Sequence, residues 1–154
     1  MMKILLPVDE SPYSAEAVQA VTERPWPEGT RIRVLSAVEI IGPPPMGPLM
    51  YDAGGSFDQL QRQRNKRASQ LTERVANSLA AHGLATETAV REGDPRSVIV
   101  NEAEHWKANL IVLGSHGYTG IKKWLLGSVA QSVVSHAPCS VEVVRHRAAK
   151  ALAS

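Results

Sequence analysis

The chain has 154 residues, of which 44% are hydrophobic and 21% are charged, and its formal net charge at pH 7 is +2. These values are ordinary for one globular domain with a single core, and so small a net charge does not favour a nucleic-acid-binding protein. The single cysteine, Cys139, excludes an internal disulfide and is compatible with a reducing cytoplasm. The N-terminal apolar run is too short for a signal peptide, and no stretch is long enough to span a bilayer, so we expect a cytoplasmic protein without a membrane partner.

The first predicted element is a strand from Lys3 to Val8, whose continuous apolar character is typical of a strand buried on both faces. Pro7 lies near its end and predicts that strand pairing stops there, since proline has no N–H to donate. Asp9 follows at the carboxyl end of the strand. Ser11 and Pro12 then have the pattern of an N-cap followed by proline at the first helical position, which predicts a helix.

A second strand is predicted from Arg31 to Ile40, followed by a long segment rich in proline and glycine, Gly42 to Ser56. Loops of this length are usually functional or disordered, and no packed element is predicted there. A helix follows from about Phe57 to His82, and Gly83 ends it as a C-cap.

Four basic residues lie close together in this helix: Arg62, Arg64, Lys66 and Arg67. They resemble a nucleic-acid-binding patch. A solvated helix face is the interpretation that we favour, because the whole chain is almost neutral.

The second half of the chain continues the alternation of strands and helices. Thr86 to Arg91 alternates polar and apolar residues, as an edge strand does, and Gly93-Asp94-Pro95 predicts a turn and an N-cap. Leu110 to Leu113 is the fourth predicted strand. A helix begins at about Gly127, and Ser140 to Val144 is the fifth strand.

Five strands alternating with four helices predict βαβ units, and therefore a mainly parallel sheet with helices on both faces. In such sheets, ligands bind beyond the carboxyl ends of the strands, where the strand order reverses. Asp9 and the loop that begins at Gly114 both follow strand ends. We therefore expect them on the same edge of the sheet.

The glycine spacing in this loop is typical of a phosphate-binding segment. Gly114 and Gly117 follow a strand, and Gly127-Ser128 begins a helix, so Gly127, Ser128 and Val129 would present amides to an anion. The alternative is a plain strand-to-helix turn. The Gly-Lys-Ser/Thr ending of a P-loop is missing, which disfavours that mechanism.

Two other candidate residues have both a functional and a structural interpretation. Asp9 is either a ligand for a ribose hydroxyl or a phosphate-bound metal, or the cap of the first helix. His116 is either a phosphate donor or an exposed loop residue. The sequence has no Ser-His-Asp order, zinc-ligand cluster or paired-carboxylate signature.

Three stretches resemble the universal stress protein family: KILLPVDES at the N-terminus, Gly93-Asp94-Pro95, and the segment from Asn109 to Arg145. The last contains the Gly-x2-Gly-x9-Gly-Ser motif of the ATP-binding members. The resemblance covers about residues 2–146, which implies one domain over residues 1–146. The remaining residues, 147–154, are expected to form a frayed tail. It implies a Rossmann-like, adenine nucleotide α-hydrolase-like fold with a five-stranded parallel sheet of order 3-2-1-4-5.

The resemblance further implies that ATP binds between the ends of the first and fourth strands, with Mg²⁺ or Mn²⁺ bridging its phosphates. Asp9 is then a possible metal ligand through water. Adenine and ribose would lie near Pro7, Val8, Asp9, Val38 and Leu113. Ribose and phosphates would be lined by Gly114, His116, Gly117, Gly127, Ser128 and Val129.

Family members commonly form homodimers by pairing the last strand with its copy, and Val141, Val143 and Val144 give this chain an apolar edge there. The function that we expect is an ATP-binding stress-response or regulatory protein with at most weak ATPase activity. Two alternatives remain: a genuine ATPase that uses the same site, and a nucleotide-free dimeric interaction module. The glycine motif disfavours the second alternative.

Overall fold

A computed structural model of the chain describes residues 1–42, 56–116 and 126–145. Strands and helices alternate along these residues: β1 (Lys3–Pro7), α1 (Pro12–Glu23), β2 (Arg31–Val38), α2 (Ser56–Ala81), β3 (Ala85–Glu92), α3 (Pro95–Trp106), β4 (Leu110–Gly114), α4 (Ser128–His136) and β5 (Ser140–Val144). Most of the predicted proline-rich loop, Gly117 and the predicted tail at 147–154 lie outside the described residues. No helix of the described ranges is long and apolar enough to cross a membrane.

The five strands form one parallel sheet in the order β3-β2-β1-β4-β5, which confirms the predicted order. β3 lies at one edge, as its alternating pattern predicts. The order reverses direction between β1 and β4, so the crossovers on the two sides of this point place helices on opposite faces of the sheet.

The core consists of two layers, one on each face. Successive side chains of a strand point to opposite faces, so Ile4 and Leu6 belong to one layer and Leu5 to the other, and all three are fully buried. The first layer packs against α1 and α2 and includes Val21 and Leu79. The second packs against α3 and α4.

Pro7 determines where β1 separates from β4. The Lys3 carbonyl accepts from the Asn109 N–H and the Val8 N–H donates to the Leu35 carbonyl, so odd-numbered residues of β1 face β4 and even-numbered ones face β2. Pro7 therefore lacks an N–H on the side of β4. The pairing of β1 with β4 ends at Leu5, whereas its pairing with β2 continues to Pro7. The two central strands part at this point, which opens the carboxyl edge of the sheet.

α3 is held on the sheet by a charged network that the sequence pattern does not reveal. Glu102, only 7% exposed, accepts from Arg33 Nη1 at 2.6 Å and from Arg91 Nε at 2.9 Å. The Arg33 guanidinium also stacks over the Trp106 ring, with 4.6 Å to the centroid. These contacts fix α3 against β2 and β3, because a buried carboxylate is stable only when it is paired.

Gly114 ends β4 directly beneath the first turn of α1. A Cβ atom at this position would lie 2.6 Å from the Tyr13 carbonyl oxygen and 2.7 Å from its carbonyl carbon. Both are backbone atoms and cannot move without displacing α1. Glycine is therefore required at this position by the close approach of the helix.

We expect Gly114→Ala to lower the free energy of unfolding by about 1–3 kcal/mol, because the added methyl group overpacks the contact with α1. Urea denaturation of both proteins measures the difference. Gly42→Ala is the matched control, since a Cβ at Gly42 meets no atom within 4 Å. Equal unfolding midpoints for the two variants would contradict the packing role of Gly114.

Candidate functional site

A cavity of about 590 Å³ lies at the carboxyl edge of the sheet, where β1 and β4 part. Its wall is formed by the ends of β1, β2 and β4, by the residues that follow β1, and by parts of α2, α3 and α4. A cavity of this volume is typical of small-molecule sites. The structure places the following predicted site residues in its wall: Pro7, Val8, Asp9, Val38, Leu113, Gly114, His116, Ser128 and Val129.

Asp9 has a structural role and also an oxygen that is open to the cavity. Its Oδ1 accepts from the Ser11 N–H at 2.8 Å, and its own N–H donates to Ser14 Oγ at 3.0 Å. Ser11 in turn caps α1 by accepting from the Ser14 N–H. Among the described residues, Oδ2 has no partner. The two interpretations of Asp9 are therefore compatible, because one oxygen shapes the turn and the other is available to a ligand.

The end of β2 offers a backbone donor and acceptor that sequence reasoning missed. The Val38 carbonyl accepts from the Gly93 N–H at 2.9 Å, on the side of β3, and the Leu35 carbonyl accepts from Val8, on the side of β1. Backbone groups alternate along a strand, so the Ala37 N–H and C=O point toward β1. The next rung, from the Ala37 N–H to the Val8 carbonyl, is absent among the described hydrogen bonds. Ala37 thus presents an open N–H and C=O in the cavity wall.

β2 stops at Val38, two residues earlier than the sequence pattern predicts. Glu39 and Ile40 are exposed, and the chain of β3 turns away at Gly93, whose φ is +138°. Val38 keeps its buried side chain against the cavity, but its carbonyl already accepts a hydrogen bond from β3. The Ala37 backbone is better placed than the Val38 backbone for a polar contact with a ligand.

His116 carries an unpaired nitrogen in this wall. Its Nδ1 lies 3.0 Å from Ser115 Oγ, and its ring packs against that of Tyr13 with 5.0 Å between centroids. Its Nε2 is buried and has no hydrogen-bond partner among the described residues. A buried polar atom without a partner is costly, so this nitrogen is a candidate ligand contact.

The N-terminus of α4 faces the cavity without a side-chain cap. Gly127 is the N-cap, and its N–H donates to the Ser115 carbonyl at 2.7 Å, so this amide, predicted to contact a ligand, is already bonded. Ser128 and Val129 lie in the cavity wall. The N–H groups of the first helical turn, residues 128 to 130, have no partner in the described structure. Together with the helix dipole they form a site that favours an anion.

Charged side chains surround the opening of the cavity. The cavity is lined by four carboxylates, Asp9, Glu10, Glu39 and Asp94, and by three arginines, Arg64, Arg67 and Arg96. The Arg96 side chain holds Asp94 through three contacts of 2.6 to 3.2 Å, and these hydrogen bonds lower the pKa of the Asp94 carboxyl to about 2. Asp94 also caps α3 by accepting from the Arg96 N–H, so this pair is committed to the turn before α3.

Comparisons with known proteins agree with this architecture. The family model described as "Universal stress protein family" matches residues 1–145. A universal stress protein of Methanocaldococcus jannaschii is 32% identical over 146 residues, which cover 93% of this chain and 81% of the relative.

Two solved structures have the same fold. Universal stress protein UspA from Lactobacillus plantarum superposes with a TM-score of 0.76 at 25% identity, over 94% of this chain and 97% of that chain. A universal stress protein in complex with cAMP has a TM-score of 0.67 at 23% identity, over 96% of this chain and 98% of that chain. The chain described here belongs to the universal stress protein family.

Proposed function

We propose that this chain is an adenine-nucleotide-binding stress-response protein, which binds ATP between the carboxyl ends of β1 and β4 and hydrolyses it slowly or not at all. One observation carries the proposal: the wall of one cavity contains a carboxylate oxygen, a row of amides and a buried imidazole nitrogen that have no partner among the described residues. Ribose hydroxyls and phosphate oxygens are the partners that such a set would take. The complex of a structural neighbour with cAMP supports an adenine nucleotide as the ligand.

The base would bind at the end of β2. The Ala37 N–H and C=O match the N1 acceptor and the N6 amino donor on one edge of adenine, and neither group has a strand partner within the described ranges. The buried apolar side chains of Leu35, Val38 and Leu113 also line the cavity. An apolar slot with one polar edge is the usual arrangement for an orienting base site.

The phosphates would bind on the side of β4. The first turn of α4 supplies amides and the Ser128 hydroxyl, and His116 Nε2 is a further polar contact. Gly114 lines the cavity, as its predicted place beside the ribose and phosphates requires. Its packing against α1 adds an indirect role, because it permits α1 to place Asp9 beside β4.

A divalent ion fits this site as a phosphate-bound ion. No group of three or more His, Cys, Asp or Glu within the described residues is placed to hold a metal. Mg²⁺ typically keeps several waters and uses one or two carboxylates plus substrate phosphates. Asp9 Oδ2 would therefore hold Mg²⁺ or Mn²⁺ through water, and the ion would neutralise phosphate charge.

Slow hydrolysis is expected because three of the four carboxylates of the cavity already have structural partners. Glu10 pairs with Arg67 at 3.0 Å, Asp94 is held by Arg96, and Asp9 shapes the turn before α1. Phosphoryl transfer to water needs a group that orients the nucleophile. A genuine ATPase and a nucleotide-free dimeric module are the alternatives.

We expect the wild-type protein to bind ATP in the presence of Mg²⁺, and Asp9→Asn to weaken binding about tenfold. Asparagine keeps the Oδ1 acceptor that shapes the turn, but it removes the negative charge and replaces Oδ2 by an amide. Isothermal titration calorimetry measures both affinities. ADP formation followed over hours separates a binding protein from an ATPase.

The control is Glu28→Gln, which removes an exposed carboxylate that does not line the cavity. It should leave ATP binding unchanged. Lack of binding by the wild type would refute nucleotide binding. Equal affinities of Asp9→Asn and wild type would remove Asp9 from the site, and turnover at enzyme-like rates would favour an ATPase.

Base selectivity tests the role of Ala37. Guanine presents a donor at N1 and an acceptor at O6, the reverse of adenine, so it would leave both Ala37 groups unpaired. We expect GTP to bind about 10- to 100-fold more weakly than ATP. Competition of each nucleotide against a fluorescent ATP analogue measures the ratio, and a ratio near one would contradict recognition by Ala37.

A homodimer through β5 belongs to the same proposal. β5 is the last strand of the sheet, and no described strand pairs with its outer side. The Val144 carbonyl accepts from the Ser115 N–H, on the side of β4, so the backbone of Val143 points to the outer edge. An open edge of this kind invites pairing with a second copy.

Val143→Pro should produce monomers, because it removes an outward N–H while leaving the ladder with β4 complete. Light scattering after size-exclusion chromatography measures the mass. Val143→Ala keeps the N–H and should remain dimeric. An unchanged mass for Val143→Pro would count against pairing through β5.

A further inference from the structure

One stripe of α2 faces the nucleotide cavity and changes from apolar to basic along its length. Its members are spaced i, i+3, i+4 and i+7, which places them on one face of the helix: Arg64, Arg67, Ala68 and Leu71. Leu71 and the buried Ala68 continue the core. Arg64 and Arg67 extend the same face by one turn toward the N-terminus of α2, so the packing of the helix determines that they project from the face that lines the cavity.

The helix therefore divides the four basic residues, which the sequence alone predicts to form one solvated face. Arg62 and Lys66 are exposed and lie outside the cavity wall, as that interpretation predicts. Arg64 and Arg67 line the cavity that contains Asp9 and Ser128. The proposed nucleotide contacts described above do not use them.

Both arginines are available to a ligand. Arg64 forms no ion pair with any residue of the described ranges. Arg67 Nε lies 3.0 Å from Glu10 Oε1, but the two side chains are 74% and 40% exposed, and such pairs exchange readily because water screens them. Arg96, the third arginine of the wall, is held in place by Asp94.

Because the cavity wall also carries negative charge, the binding of a polyanion would depend on Arg64 and Arg67. Asp9 and Glu39 form no ion pair within the described residues and repel phosphate groups, and the first turn of α4 supplies only the amides of residues 128 to 130. Guanidinium groups bind phosphate oxygens through two parallel hydrogen bonds, which suits them to the remaining phosphates.

We infer that Arg64 and Arg67 bind the phosphates that α4 leaves uncontacted, and that they make the site select nucleoside di- and triphosphates over adenosine monophosphates. Arg67 would exchange Glu10 for the ligand. This inference rests on the proposed nucleotide-binding function and adds the class of nucleotide to it.

The test compares ATP and AMP binding to three proteins by calorimetry in the presence of Mg²⁺: wild type, Arg64→Gln/Arg67→Gln and Arg62→Gln/Lys66→Gln. The two double variants lose the same charge from the same helix, but only the first loses it from the cavity wall. We expect Arg64→Gln/Arg67→Gln to weaken ATP binding about tenfold or more and to leave AMP binding within about threefold. The control should leave both affinities unchanged.

The salt dependence of binding gives a second readout. The affinity of the wild type for ATP should fall more steeply with ionic strength than that of Arg64→Gln/Arg67→Gln, because screening acts on charges that the variant lacks. A structural role of the arginines would not change this slope.

Several results would overturn the inference. Equal losses of ATP and AMP affinity would indicate a contact with the base or a damaged fold, and equal losses in both double variants would indicate a general field effect. Unchanged ATP binding would exclude the two arginines. If the wild type binds AMP and ATP equally well, nucleotide binding stands and polyphosphate selection fails, whereas binding of neither refutes the proposed function itself.

Discussion

The contact between Gly114 and the backbone of Tyr13 sets the position of every wall of the cavity that lies near β4. Because no Cβ separates them, α1 begins directly over the end of β4, and the turn that contains Asp9 is drawn to the same place. The next residue, Ser115, donates its N–H to β5 through Val144 and accepts from the Gly127 N–H at the start of α4. Gly114 thus packs closely against α1, and Ser115 forms hydrogen bonds with β5 and with the start of α4.

The overall fold and the general location of the site were predictable from the sequence. Buried strands alternate with amphipathic helices, and only a parallel sheet with right-handed crossovers accommodates that pattern. Asp9 and the loop after β4 then fall on the same edge by topology alone. Caps such as Ser11 and Asp94 and the glycine at position 83, with φ of +82°, also follow from local chemistry.

The roles of individual residues at the cavity were not predictable, since they depend on where each backbone group and side chain points in the folded chain. Whether Ala37 or Val38 presents its backbone to the cavity depends on the register of β2 with both of its neighbours. Gly114 belongs to a glycine pattern that predicts phosphate binding, but the pattern does not reveal its close packing against the Tyr13 backbone. The basic residues of α2 form one run in the sequence, although a step of one or two residues along the helix rotates a side chain from the cavity wall to the outer face.

The cavity is also a consequence of backbone hydrogen bonds that the described strands do not form at this edge. Pro7 removes one N–H toward β4, and the ladder between β1 and β2 ends one rung before Ala37. A sheet continued by two more residues at this edge would close the space in which a base is proposed to bind. Side chains can determine which ligand the cavity binds, but the cavity exists because the strands stop pairing at this edge.

The open end of β2 would also couple ligand binding to the hydrogen bonding of the sheet. A flat ring that bonds to the Ala37 N–H and C=O would continue the ladder as though it were one more strand residue. The ligand would then be an element of the sheet itself, bound by the same cooperative bonds that hold β1 and β2 together. Nucleotide occupancy and backbone order at this edge would then increase together, so nucleotide binding would make this part of the sheet more rigid.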